Sequence, residues 1–99
     1  MAVSVIVHVG GDPDALLAEY DAGWPLTPAP DEPGLIYHAC LRLPRAIKVI
    51  LHFTDETAAR SFVERPDVAA CLDAHTLVDG RPALVPIHAL HLAAESSRL

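Results

Sequence analysis

Four of the six histidines in this 99-residue chain, His8, His38, His52 and His88, fall one each in four apolar segments of strand character. Imidazole changes charge near neutral pH, so it serves as a general base, as a hydrogen-bond donor to an oxyanion, or as a metal ligand. Strand side chains alternate between faces. On the first segment Ser4, Ile6 and His8 oppose Val5, Val7 and Val9, and on the third Lys48, Ile50 and His52 oppose Val49, Leu51 and Phe53. On the fourth, Leu84, Pro86, His88 and Leu90 oppose Val85, Ile87 and Ala89. The purely apolar sets belong beneath helices, which leaves His8, His52 and His88 on the uncovered face. His38 joins them, opposite His52, if the intervening turn has three residues; a two-residue turn shifts the register by one and undoes that pairing.

A face carrying Ile, Leu and His together is too apolar to stand in water and too polar for an ordinary core. Three readings follow: a dimer interface with hydrogen-bonded imidazoles, a cavity in which a histidine acts as base or donor, and a metal site. The third is the weakest. An antiparallel sheet sends His8 and His52 toward opposite strand ends, and His88 and His91, three apart, point to opposite faces, so no metal is expected. His75 beside Thr76 reads as a cation at a helix C-terminus. Asp12, Asp55, Glu56 and Asp67 read as helix caps or first-turn charges. Gly10-Gly11 ends a strand without forming a phosphate loop, and no nucleophile-elbow spacing surrounds Ser4 or Ser61.

The elements that must position these residues repeat twice as strand, capped helix, strand. Residues 3–9 form a β-branched strand; Asp12-Pro13 opens a helix with Leu16, Leu17 and Tyr20 on one face. Residues 22–34 hold four of the nine prolines, a segment long enough to be a lid or a variable connection. Leu35–Leu43 and residues 47–53 flank Pro44-Arg45 and form a hairpin. A second helix starts at Thr54 or Asp55, directs Ala58, Ala59, Phe62 and Val63 inward, and breaks at Arg65-Pro66; a short third helix directs Val68, Cys71 and Leu72 inward. After a turn at Asp79-Gly80 and Pro82, residues 83–92 form an edge or bulged strand, because Pro86 cannot donate to a ladder. Residues 96–99 read as a frayed tail. The βαββαβ order predicts an α+β, ferredoxin-like sandwich with two helical segments on one face of the sheet, and residues 1–99 form one domain.

At 52% hydrophobic and 20% charged the sequence is globular, and a net charge of −6 argues against nucleic acid as a partner. Lys48 is the only lysine. No apolar run reaches the ~20 residues of a membrane span, and residues 1–9 read as a mature strand without a basic leader. Cys40 and Cys71 read as small buried hydrophobes in a reducing compartment. A cytoplasmic protein without membrane partners is expected.

The β-α-β-β-α-β order, with the third strand running into Phe53-Thr54-Asp55-Glu56-Thr57-Ala58-Ala59-Arg60-Ser61-Phe62, resembles the antibiotic biosynthesis monooxygenase family of the dimeric α+β barrel superfamily. Phe53 and Phe62 match its aromatic positions, Arg65-Pro66-Asp67 its helical break, and Pro86-Ile87-His88 its last strand. The resemblance implies a homodimer whose sheets face one another across a cavity. It implies a small hydrophobic or aromatic ligand, often polyketide-derived, and chemistry such as cofactor-independent oxygenation, haem degradation, cyclisation or isomerisation. The haem-degrading branch uses an Asn on the first strand and a Trp in the helical region; here the first strand has no Asn and the only Trp is Trp24 in the proline-rich segment. No catalytic residue carries over from the oxygenase branch.

These readings combine into a homodimeric, cofactor-independent monooxygenase, with a cyclase or isomerase, or a non-catalytic ligand-binding or structural dimer, as alternatives. His52 or His38 is expected as the base and His88 or His8 as the hydrogen-bond donor, with Trp24, Tyr37, Ile6 and Ile50 in contact with substrate.

Overall fold

The computed structural model of the chain describes residues 1–78 and 80–88. Its elements are β1 (Val3–Gly10), α1 (Pro13–Asp21), β2 (Leu35–Leu43), β3 (Ala46–Phe53), α2 (Glu56–Val63), α3 (Pro66–Asp73), β4 (Thr76–Leu77) and β5 (Ala83–Pro86). The strands form one sheet in the order β2-β3-β1-β4, with β5 also on β1, and every pairing is antiparallel. This is the expected ferredoxin-like α+β sandwich. Its last strand is divided: β4 pairs with Val9 and Gly10, β5 with residues 3–6. Pro86 closes β5 on the sheet edge, where a missing N–H costs no ladder bond. Ala89, Leu90, His91 and the tail at 96–99 lie outside the described residues.

The core forms because β1 and β3 alternate with period two. Val3, Val5, Val7 and Val9 from β1 and Ile47, Val49, Leu51 and Phe53 from β3 are all buried. Leu16 and Tyr20 of α1, Ala59 and Phe62 of α2, and Val68, Cys71 and Leu72 of α3 cover them, with the Phe53 and Phe62 rings 5.6 Å apart. Local signals place the helices. The Asp55 carboxylate accepts from the Ala58 N–H at 2.8 Å, a side-chain cap of the kind its residue type favours. Asp12 occupies the N-cap of α1 without a side-chain bond, and Pro13 supplies the pre-set φ of the first turn.

Residues 22–34 are a packed wall rather than a lid. Leu26 and Pro28 are buried, and the Thr27 hydroxyl donates to the Tyr20 carbonyl at 2.6 Å. Arg65 donates to Glu32 at 2.8 Å, with the Glu32 side chain only 8% exposed, and the same guanidinium lies 5.1 Å from the Phe62 ring centre. The wall ends at Gly34, whose φ is +78° and where an added Cβ would stand 2.6 Å from the Ala58 Cβ.

Gly34→Ala and Gly80→Ala separate backbone strain from crowding. Both glycines have positive φ, but nothing lies within 4 Å of a Cβ at Gly80. Denaturant unfolding should show a loss of about 1–2 kcal/mol for Gly80→Ala and about 2–4 kcal/mol for Gly34→Ala, where α2 must also give way. Equal losses would mean that α2 yields freely.

Candidate functional site

The β1–β3 register sets Ser4 opposite His52, Ile6 opposite Ile50 and His8 opposite Lys48. Their sequence neighbours fill the core, so these six project from the face that no helix among the described residues covers. From β2, Tyr37 lies opposite His52, Ala39 opposite Ile50 and Leu41 opposite Lys48. From β5, Val85 lies opposite Ser4 and Ala83 opposite Ile6. The open face is therefore an apolar strip with a polar pair toward each end, and Tyr37, Leu41 and Val85 are 46%, 44% and 44% exposed on it.

At one end the Ser4 hydroxyl lies 2.8 Å from His52 Nδ1. The Tyr37 ring stacks on the imidazole, 5.6 Å between centres and 21° between planes. Ser4 is buried, which holds its oxygen in place, and the stacked tyrosine holds the plane of the ring. Among the described residues His52 Nε2 has no hydrogen-bond partner. A hydroxyl both donates and accepts, so two arrangements are open to this pair. With Nδ1–H donating to Ser4, Nε2 presents a lone pair and is a base, and the imidazolium formed by proton uptake keeps the same partner. With Ser4 donating to Nδ1, Nε2–H is a donor for an oxyanion.

At the other end stand His8 and Lys48, four residues along the strands from Ser4 and His52. At ~3.3 Å per residue this is about 13 Å, too far for the two histidines to share an ion. Among the described residues no three His, Cys, Asp or Glu side chains gather closely enough to hold a metal. An open groove of about 420 Å³ lies at this end of the sheet, lined by Gly11, Asp12, Pro13, Pro44 and Arg45, away from the Ser4–His52 pair.

No family model matches the sequence, nor does the sequence of any curated protein. Solved structures do match. SnoaB from Streptomyces nogalater, a cofactor-independent oxygenase, superposes with a TM-score of 0.60 at 21% identity, over 90% of this chain and 95% of that one. NE2512 from Nitrosomonas europaea, of unknown function, gives 0.66 at 26% identity, over 94% and 95%. A Chloroflexus aurantiacus protein proposed to be an antibiotic biosynthesis monooxygenase gives 0.61 at 17% identity, over 94% and 100%. The chain shares the fold of the antibiotic biosynthesis monooxygenases.

Within the fold of the antibiotic biosynthesis monooxygenases, the structure brings together only part of the expected set. His8, His52, Ile6 and Ile50 share the open face as read from the alternation, and Tyr37 joins them from β2 by pairing with His52. His38 does not. The Pro44-Arg45 turn has two residues, pairing Leu43 with Ala46, so His38 falls opposite Leu51 on the helix side. There its Nδ1 meets the Tyr20 hydroxyl at 2.7 Å. The fourth strand is also inverted from expectation. Leu84 packs against the core and Val85 faces outward, because both phases of this strand are apolar and pattern alone does not choose between them. His88 follows the end of β5 and is exposed, so it is not aligned with His52. Trp24 packs on His75, 4.8 Å between ring centres and edge to face, in the helical layer rather than on the open face.

His75 itself fits its expected part at a helix end, with Nδ1 donating to the Cys71 carbonyl at 2.8 Å. Burial pushes both the Cys40 and Cys71 thiols up. The residue that sequence reasoning left without a role is Ser4. Its period with Ile6 and His8 put it on the right face, but its partner depended on the register.

Burial pushes the Tyr20 phenol up to about 12, with Cys40 and Asp21 adding to the effect. Because the unfolded phenol ionises near 10, the folded state holds its proton longer. The stability Tyr20 contributes is complete below pH ~10 and is lost as pH rises toward ~12, by at most about 2–3 kcal/mol. Urea titrations from pH 8 to 11.5 should show this alkaline fall in the native protein. They should show it much reduced in Tyr20→Phe, which should lose about 1 kcal/mol at neutral pH from the bond to His38.

Proposed function

We propose that this protein is a cofactor-independent monooxygenase acting on an aromatic or polyketide-like molecule, held between the open face and a second copy of the chain laid against it. The Ser4–His52–Tyr37 cluster at the margin of an apolar face carries the reading: a positioned base, its Nε2 without a partner among the described residues, beside a surface suited to flat apolar rings. The exposed Tyr37, Leu41 and Val85 favour a cover for that face, and a homodimer would supply one. The sharing of fold with SnoaB, a cofactor-independent oxygenase, supports oxygenation over other uses of the same base.

In this reading His52 Nε2 takes the phenolic proton, Nδ1–H donates to Ser4, and the substrate supplies the electrons to O₂. A ring methylene and O₂ become a carbonyl and water, so one oxygen atom stays on carbon and the other leaves as water. A cyclase or isomerase would use the same base without consuming O₂, and a binding or structural dimer would use none of this chemistry. No helix among the described residues is long and apolar enough to cross a membrane. The free thiols of Cys40 and Cys71 fit a cytoplasmic setting.

Anthrone, whose enol tautomer is a phenol, is a suitable probe in an oxygen electrode. Oxygen uptake with formation of anthraquinone is expected for the native protein, reduced about 10²- to 10⁴-fold in His52→Ala. A rearranged or cyclised product of a phenolic ketone without oxygen uptake would point to the isomerase reading, and thermal stabilisation without turnover to a binding protein. The dimer is tested separately by sedimentation at low micromolar concentration. His52→Asp should dissociate to monomer, because it places a carboxylate in a mostly apolar seam; a fully dimeric variant would sink the proposed use of this face.

A further inference from the structure

Among the described residues Lys48 is the one lysine or arginine on the open face, and none of them explains its position there. It sits on β3, flanked by Leu41 of β2 and His8 of β1. It is half-buried even with the face uncovered. Among the described residues it makes no hydrogen bond and no ion pair. The registers of β1, β2, β3 and β5 place no carboxylate on this face. A second copy applied by two-fold symmetry presents the same residues, so it brings no carboxylate either. An ammonium enclosed in an apolar seam without a counter-charge is costly, and the chain has no other lysine.

We propose that Lys48 is a specificity-determining residue, the anchor for an acidic group on the bound molecule. This rests on the reading of the open face as a ligand-binding surface and narrows its ligand to an elongated anionic aromatic. The phenolic end lies at His52 and the carboxylate, or an equivalent anionic group, at Lys48. The strands separate the two positions by about 13 Å, a span that the lysine stem shortens for a ligand of two or more fused rings. Ile6 and Ile50, opposite one another between the two polar pairs, form the floor on which those rings lie.

Isothermal titration with a matched pair, 6-hydroxy-2-naphthoate and 2-naphthol, isolates the carboxylate. The native protein should bind the naphthoate at least about tenfold more tightly than the naphthol, the effect of one charge-assisted contact. Lys48→Met should bind both equally at the level of the naphthol, and Lys48→Arg should retain the preference. Thermal melts of the two variants check that the fold is intact. Equal binding of the two probes by the native protein overturns the assignment and leaves the ligand-binding reading of the face standing. This is the result expected if Lys48 merely shields apolar surface. A preference that survives Lys48→Met also overturns it, by placing the anchor elsewhere. Failure of both probes to bind overturns it together with the reading of the face.

Discussion

The antiparallel pairing of β1 with β3 is the constraint on which the rest of the structure depends. These two central strands are read on both faces at once. Moving their register by one residue would turn one strand over, exposing Val5 and Val7 or else Val49 and Leu51 and driving that strand's polar residues beneath the helices, so the dry core locks the register. The same lock places Ser4 directly across from His52. A hydrogen bond between residues 48 apart in sequence is thus a consequence of burying valines on the opposite side of the sheet.

The two histidine clusters show how one residue type acquires different surroundings from strand phase alone. His52 keeps one nitrogen on a buried hydroxyl and leaves the other without a partner among the described residues, beside a stacked ring. His38, one strand away but of opposite phase, meets a tyrosine hydroxyl from α1. Its neighbours on the helix side of β2 are Cys40 and Arg42, and Arg42 pairs with Asp14 at the start of α1. Polar contacts therefore fasten α1 along the sheet edge, where apolar burial is incomplete. The first cluster has the open valence of a site; the second has the closed contacts of a seam.

Asymmetry between the faces follows from how the helical layer is held. The Arg65–Glu32 pair, the buried Leu26 and the contact of Trp24 with His75 fix residues 22–34 against α2 and α3. They close the helical side of the sheet over β1 and β3, whose core residues are buried. No helix among the described residues reaches the other side, which keeps exposed aromatic and aliphatic side chains around the Ser4–His52 pair. The site and the unsatisfied apolar surface are one feature, and whatever covers the surface must also form the other wall of the site.

The order of elements and the core were legible from residue type alone. Period-two valines, Asp55 as a cap, Pro13 at a first helical turn and a break at Arg65-Pro66 act through their immediate neighbours, and those neighbours are adjacent in sequence. The open face was legible for β1 and β3, where one phase is purely apolar and the other mixed. It was not legible for β5, where Leu84 and Val85 are equally apolar, nor for His38, whose face turned on the length of one turn. The partnership of Ser4 with His52 and the isolation of Lys48 among the described residues were decided by tertiary structure. Cross-strand neighbours are set by register, and register is chosen by the free energy of the whole sheet rather than by any local run of residues.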